Sequence, residues 1–158
     1  RGQAAEDREC EVGGWQTIAE AGTRVWNAKQ YSGDTYAEMN PYQSGEASNI
    51  AWLVSPKVTI PAGVTYYLMF ESQYNFWANS TLKAYILTNY DGSSPWNATM
   101  TELTEAVIVT QADGTNKWVK SGKVDLSAFS GDVYIAFKYT GSGTQTTAYR
   151  IDDVTVFQ

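Results

Sequence analysis

Short segments in which apolar and polar residues alternate recur along this chain. Residues 65–71, 82–86 and 133–139 each place every second side chain on one apolar face, a period of two that is typical of half-buried strands. Glycine, asparagine, aspartate, serine and proline separate such segments and predict turns between them. The predicted apolar faces carry Tyr66, Leu68 and Phe70, then Leu82, Ala84 and Ile86, then Val133, Ile135, Phe137 and Tyr139.

Similar runs predict about ten strands and little helix, which suits two packed antiparallel sheets. Asp113-Gly114 lies between 107–110 and 117–119 and predicts a hairpin turn in which the backbone adopts positive φ. Residues 27–49 are rich in Tyr, Ser, Gly, Asn and Gln, and we expect them to form a long loop that faces a partner. The strand runs centre near Trp15, Val25, Trp52, Tyr67, Tyr85, Ile108, Trp118, Val124, Ile135 and Val154.

The length of 158 residues suits one domain, with a core large enough to be stable without disulfides. Residues 1–12 are charged and lack an apolar period, which predicts a linker or disordered segment before a single domain over 13–158. Cys10 is the only cysteine, so no intrachain disulfide can form. No apolar stretch is long enough to span a membrane, and these residues contain no signal segment, so an exported protein would already have lost it.

Charge and residue type exclude several function classes. The 17 acidic and 11 basic residues give a net charge of −6, which argues against a nucleic-acid partner because it repels the phosphate backbone. The chain contains no histidine, which excludes Ser-His-Asp and Cys-His catalysis and histidine-ligated zinc. A glycosidase needs a pair of carboxylates, and no strand carries an alternating acidic run. We therefore expect a protein that is not an enzyme.

An ordered series of short phrases marks the chain from residue 51 onward: AWLVSP at 51–56, TNYDG at 88–92, ATMTELT at 98–104, SGKVDLS at 121–127, VYIAFKY at 133–139 and YRIDDV at 149–154. In this order and spacing they resemble the choice-of-anchor J and cleaved-adhesin type of jelly-roll domain, including a related bacterial lipoprotein family of unknown function. The resemblance spans roughly residues 26–157. It implies an all-β, two-sheet antiparallel jelly-roll β-sandwich, galactose-binding/MAM-like, on the bacterial surface or secreted, often with a structural calcium ion.

Aromatic residues make up 14% of the chain, and flat rings flanked by amides are what a sugar-binding surface uses. Two clusters have this composition, one within 31–42 and one within 74–79, and Trp96 could join either. The alternative is that these rings cover sheet edges or the ends of the sandwich. We expect Trp26, Trp52 and Trp118 to lie in the core. The predicted ligand-binding residues are Trp77, Trp96, Tyr74, Asn75, Tyr42 and Tyr36.

Asp152 and Asp153 interrupt the last apolar strand, where unbroken alternation would place Asp152 on one face with Val154 and Val156. A buried carboxylate needs a cation or several donors to offset the loss of hydration. Calcium accepts carboxylate and carbonyl oxygens in flexible geometry, and similar jelly rolls hold it near this strand, so both aspartates are predicted metal ligands. Equally, Asp152 could accept hydrogen bonds from loop amides or pair with Arg150.

These observations predict an extracellular, non-catalytic carbohydrate-binding or adhesion module. Its expected partner is a polysaccharide or glycosylated surface, and we expect a monomeric domain of a larger bacterial protein. The alternative is a structural accessory or protein-interaction domain that binds no glycan.

Overall fold

The computed structural model describes residues 14–158, so the predicted linker at 1–12 and Cys10 lie outside the described residues. This part of the chain contains twelve strands and no α-helix, and 3-10 turns lie at Pro95–Asn97 and Gln111–Asp113. The strands are β1 Gln16–Ala21, β2 Asn27–Tyr31, β3 Asp34–Met39, β4 Asn49–Val54, β5 Val58–Ile60, β6 Tyr67–Asn75, β7 Thr81–Thr88, β8 Thr99–Glu102, β9 Val119–Lys120, β10 Val124–Asp125, β11 Gly131–Gly141 and β12 Ala148–Phe157.

The strands form two six-stranded sheets whose pairings are antiparallel. The first sheet has the order β1-β4-β11-β7-β8, with β5 pairing the start of β11. The second sheet has the order β10-β6-β12-β3-β2, with β9 also pairing β6. Neighbouring strands in each sheet are mostly distant in sequence, because the chain repeatedly crosses between sheets. The predicted two-sheet antiparallel jelly-roll β-sandwich is confirmed.

The core lies between the sheets, where the alternating apolar faces meet. The predicted faces of β7 and β11 are buried, with Ile86, Ile135 and Phe137 at 0% exposure. Phe70 of β6 meets Phe137 of the opposite sheet edge-on, with ring centroids 4.9 Å apart. Trp26 is fully buried as expected, and its indole N–H donates to the carbonyl of Ala51 at 3.1 Å. Aromatic pairs across the sheets thus supply much of the apolar surface that holds them together.

Part of segment 27–49, predicted to be a long loop, is a hairpin formed by β2 and β3. Ser32 and Gly33 both adopt positive φ, 52° and 79°, which is the geometry of a two-residue turn that matches strand twist. The prediction was wrong because the inward residues of this hairpin are mostly small, so that the apolar period is weak. Its buried positions include Ala28, Ala37 and Met39.

The hairpin predicted at Asp113-Gly114 is also wrong, although Gly114 does adopt positive φ, at 96°. Residues 107–110 form no strand, and β9 pairs with β6 instead. Gly114 ends the 3-10 turn Gln111–Asp113, which is capped at its start because the Asp113 carboxylate accepts the Thr110 backbone N–H at 2.8 Å. A turn at these residues was predicted correctly. It is a capped 3-10 turn, however, and it does not join two paired strands.

Candidate functional site

The outer face of the second sheet carries a polar band, which the alternation of its strands creates. Core residues on β3, β6 and β12 point inward, so the residues between them point outward. Strand register places Arg150 opposite both Glu38 and Gln73. Three neighbouring strands therefore each contribute one polar side chain to the same row across the sheet.

Arg150 is the centre of this band. Its Nε donates to Glu38 Oε2 at 2.8 Å, and its Nη1 donates to Gln73 Oε1 at 2.6 Å and to Asn116 Oδ1 at 3.1 Å. The Arg150 and Glu38 side chains are only 17% and 12% exposed, so the ion pair is largely shielded from water. An arginine held by one partner on β3, one on β6 and one in the loop before β9 gives the face a rigid, charge-compensated centre.

Two aromatic rings border the Arg150 network on the same face. Tyr36 is 8% exposed and lies under the Arg150 guanidinium, whose carbon is 5.2 Å from the ring centroid. Trp118 meets Tyr36 edge-on at 5.8 Å and is half-buried on this outer face, so its predicted place in the core is wrong. Burial is the main reason that the pKa of the Tyr36 hydroxyl is raised, and the Arg150 charge partly opposes that shift. Tyr36, predicted to bind a ligand from a loop, is thus a strand residue with little free ring surface.

At the edge of this face two exposed aromatic side chains converge from different loops. Tyr42, from the loop after β3, is 62% exposed, and Phe76, from the turn after β6, is 72% exposed. Together with Asn40 and Thr146 they line a groove of about 300 Å³, which we call the aromatic groove. Its described lining combines two flat ring surfaces with the amide of Asn40 and the hydroxyl groups of Thr146 and Tyr42.

Local hydrogen bonds fix the backbone at both aromatic residues. The Asn40 carboxamide oxygen accepts the backbone N–H of Tyr42 at 2.9 Å, and the Asn75 carboxamide oxygen accepts that of Phe76 at 2.9 Å. Phe76 adopts φ 51°, a left-handed conformation that a bulky side chain rarely takes. Asparagine stabilises such turns because its short side chain can bond to nearby backbone. Asn75, a predicted ligand-binding residue, accordingly shapes the turn that presents Phe76.

The other predicted binding residues do not gather here. Tyr74 is 4% exposed, donates its hydroxyl to the Gln111 carbonyl at 2.8 Å, and belongs to the core, so it offers no free ring face. Trp77 is half-buried and packs edge-on against Tyr74 at 5.4 Å. Trp96 is 36% exposed on the turn Pro95–Asn97, which precedes β8 of the first sheet. Of the predicted residues, only Tyr42 lines the aromatic groove. Asn75 supports the turn that carries Phe76, the second ring of the groove.

Asp152 is 1% exposed and lies opposite Glu71 of β6. The strand then bulges, because the register shifts between Asp152 and Thr155 and Asp153 adopts φ 53°. This extra residue breaks the alternation, so Asp152 lies on the outer side and not with Val154 and Val156, which pack against the core. One Asp152 oxygen accepts the Asp153 backbone N–H at 2.8 Å.

The described residues supply only part of a calcium site at this bulge. Over residues 14–158, no group of three or more acidic, histidine or cysteine side chains is arranged to hold a metal ion. Calcium takes six to eight oxygen ligands, so Asp152 and Asp153 alone do not fit a complete site. Arg150, the other candidate partner of Asp152, forms its ion pair with Glu38. Calcium binding stays a prediction from the sequence.

No family model matches the chain, and no curated protein matches it in sequence. No helix between residues 14 and 158 is long and apolar enough to cross a membrane.

Solved structures share the fold at low sequence identity. The K1 cleaved adhesin domain of Lys-gingipain from Porphyromonas gingivalis W83 is 20% identical, with a TM-score of 0.60 over 90% of this chain and 89% of that one. The CBM22-2 xylan-binding domain of Xyn10C from Paenibacillus barcinonensis is 14% identical, with a TM-score of 0.60 over 93% and 92%. TmCBM61 in complex with β-1,4-galactotriose is 17% identical, with a TM-score of 0.59 over 99% and 98%. These three neighbours are one adhesin domain and two carbohydrate-binding modules.

Proposed function

We propose that this protein is an extracellular, non-catalytic carbohydrate-binding or adhesion module that holds a glycan at the aromatic groove. The observation that carries the proposal is the convergence of two exposed rings, Tyr42 and Phe76, on one groove. Exposed aromatic faces stack against the apolar face of a sugar ring, and the amide of Asn40 and the hydroxyl of Thr146 can bond to sugar hydroxyls.

The backbone at Phe76 supports a ligand-contacting role. A left-handed conformation costs a residue with a side chain about 1–2 kcal/mol, and the Phe76 ring that it carries is 72% exposed. Strained conformations persist where the surrounding structure holds them, and they are concentrated at binding sites. A glycan stacked on Phe76 would cover this otherwise exposed surface.

Binding without catalysis is supported by the residues that line the aromatic groove. Hydrolysis of a glycosidic bond normally uses two carboxylates on either side of it. None of the described lining residues, Asn40, Tyr42, Phe76 and Thr146, has a carboxylate. Glu38, on the neighbouring sheet surface, is already held by Arg150.

The fold is compatible with this function, because carbohydrate-binding modules and cleaved adhesin domains share it. A fold hosts many functions, so the specific argument is made from the groove and its rings. Surface or secreted localisation belongs to the same proposal, since polysaccharides and glycosylated surfaces are met outside the cell.

Replacement of either exposed ring tests the proposal. We expect Tyr42→Ala and Phe76→Ala each to weaken polysaccharide binding roughly fivefold or more, because each removes a stacking face. Binding is measured by affinity electrophoresis in gels containing xylan, galactan, β-glucan or mucin, with calorimetry on the best polymer. Tyr31→Ala is the matched control, since Tyr31 is 73% exposed but lies outside the groove.

Two results would count against a glycan site here. One is full binding by both ring variants, and the other is no binding of the unaltered protein to any polymer in the panel. The second result would favour a structural accessory or protein-interaction domain. Thermal unfolding of each variant shows whether it is folded.

A further inference from the structure

We infer that the glycan held at the aromatic groove is acidic and carries a uronate or sulfate group that meets Arg24 and Lys29. This inference rests on the proposed function and names its ligand class. A second groove of about 240 Å³, the cationic groove, adjoins the aromatic one on the β2–β3 side of the second sheet. Asn40 and Tyr42 line both grooves, so the two form one continuous surface. The lining of the cationic groove is Arg24, Asn27, Lys29, Glu38, Asn40 and Tyr42.

The described lining of the cationic groove has more positive than negative side chains. The one carboxylate among the described lining residues, Glu38, pairs with Arg150 at 2.8 Å. Within residues 14–158, neither Arg24 nor Lys29 makes an ion pair with a carboxylate. Glu46 is within electrostatic reach of Arg24, but its Oε1 accepts hydrogen bonds from Thr23 and Asn49. Among the described residues the groove therefore has two cations that form no direct ion pair, and Glu46 offsets the Arg24 charge only at longer range.

The position of Arg24 suits recognition of an anion. One of its terminal nitrogens donates to the Asn40 carbonyl at 3.3 Å, which ties the guanidinium to the loop that carries Tyr42. The remaining guanidinium donors can form paired bonds with a carboxylate or sulfate, and the Lys29 ammonium adds a second charge. A sugar stacked on Tyr42 would place its neighbour in the cationic groove.

The positive charges of this groove should make acidic sugars bind more tightly than neutral ones. A neutral sugar gains only ordinary hydrogen bonds in this groove, whereas an acidic sugar gains charge-assisted ones. Because the protein as a whole carries a net charge of −6, attraction of an acidic polymer depends on local cations such as Arg24 and Lys29. Binding should therefore weaken as salt rises, since ions screen exposed charges.

Paired ligands that differ only in charge provide the test. The probes are oligogalacturonate against its full methyl ester, and a sulfated glycosaminoglycan oligosaccharide against its desulfated form, on one array and by calorimetry. We expect the acidic member of at least one pair to bind roughly tenfold more tightly. We also expect Lys29→Gln and Arg24→Gln each to reduce that preference about fivefold. Lys83→Gln removes the same charge from the first sheet and should change nothing.

The outcomes separate the inference from the proposed function. Equal or weaker binding of the acidic members, or an acid preference that survives in both groove variants, overturns the inference and leaves glycan binding standing. Absence of binding to both members of every pair and to every polymer of the panel overturns the proposed function and the inference with it. Lys29 is exposed, so Lys29→Gln gives a readout even if Arg24→Gln unfolds.

Discussion

The outer faces of the two sheets arise from the same alternation of side chains, yet one face carries a buried apolar cluster and the other a polar network. On the first sheet Lys83 of β7 and Lys138 of β11 point outward, but other outward residues of β4, β7 and β11 are apolar and fully buried. They form a satellite cluster of Trp52, Val54, Leu87 and Ala136, each at 0% exposure. On the second sheet the outward residues are polar, centred on Arg150, and border two grooves.

The segment between β7 and β8 covers part of the apolar face. Tyr90 packs edge-on against Tyr134 at 5.0 Å and donates its hydroxyl to Gln16 Oε1 at 2.8 Å. Burial there raises the pKa of Tyr90 to about 12. The Trp52 indole N–H donates to Glu20 Oε1 at 2.8 Å, which satisfies its one polar group. The first sheet therefore uses part of its outer face for stability, whereas the proposed glycan site borders the polar face of the second.

Replacement of Trp52 should cause the largest loss of stability. It tests directly whether the outer face of the first sheet contains a second core. We expect Trp52→Ala to lower the free energy of unfolding by about 3–5 kcal/mol, because it leaves a cavity under the covering segment. Urea denaturation measures this loss, and polysaccharide binding by the folded fraction should be unchanged. Tyr31→Ala is again the control and should change stability little. A loss below about 1 kcal/mol would mean that the cluster is not a second core.

An intermediate effect is expected on the polar face. Arg150→Met should lower the free energy of unfolding by about 2 kcal/mol, because Glu38 and Gln73 lose their donor while remaining largely shielded. The double variant Arg150→Met/Glu38→Leu should recover part of this loss, since it removes the unpaired charge. Urea denaturation of both variants and of Glu38→Leu forms a double-mutant cycle. A coupling energy near zero would show that the network contributes no more than an exposed ion pair.

The smallest effect concerns the bulge at Asp152. If calcium binds there as the sequence predicts, chelation should lower the melting temperature by a few degrees at most, because an ion bound only by the native state stabilises it. Scanning calorimetry with and without a chelator measures the shift, and Asp153→Asn should reduce it. An unchanged melting temperature would reject the ion; the Asp153 amide already donates to one Asp152 oxygen.

The candidate site was only partly predictable, because exposure depends on neighbours distant in sequence. Tyr74, Phe76 and Trp77 stand almost side by side, yet Tyr74 is 4% exposed and Phe76 is 72% exposed. The positive φ at Phe76 turns its side chain outward, and its flanking Asn75 was the one local signal of that turn. Arg24 and Lys29 gave no signal in sequence, since an isolated cation is ordinary on any surface.

The sequence by itself determined the sandwich and its buried faces, because side-chain direction along a strand follows from backbone geometry within a few residues. Thus Val133, Ile135, Phe137 and Tyr139 were predicted together and are all buried. Only the tertiary structure decided which outer face is covered, that Trp118 lies against Tyr36, and that Tyr42 and Phe76 meet at one groove. Those relations depend on how loops and strands far apart in the chain come together, and no local pattern records that.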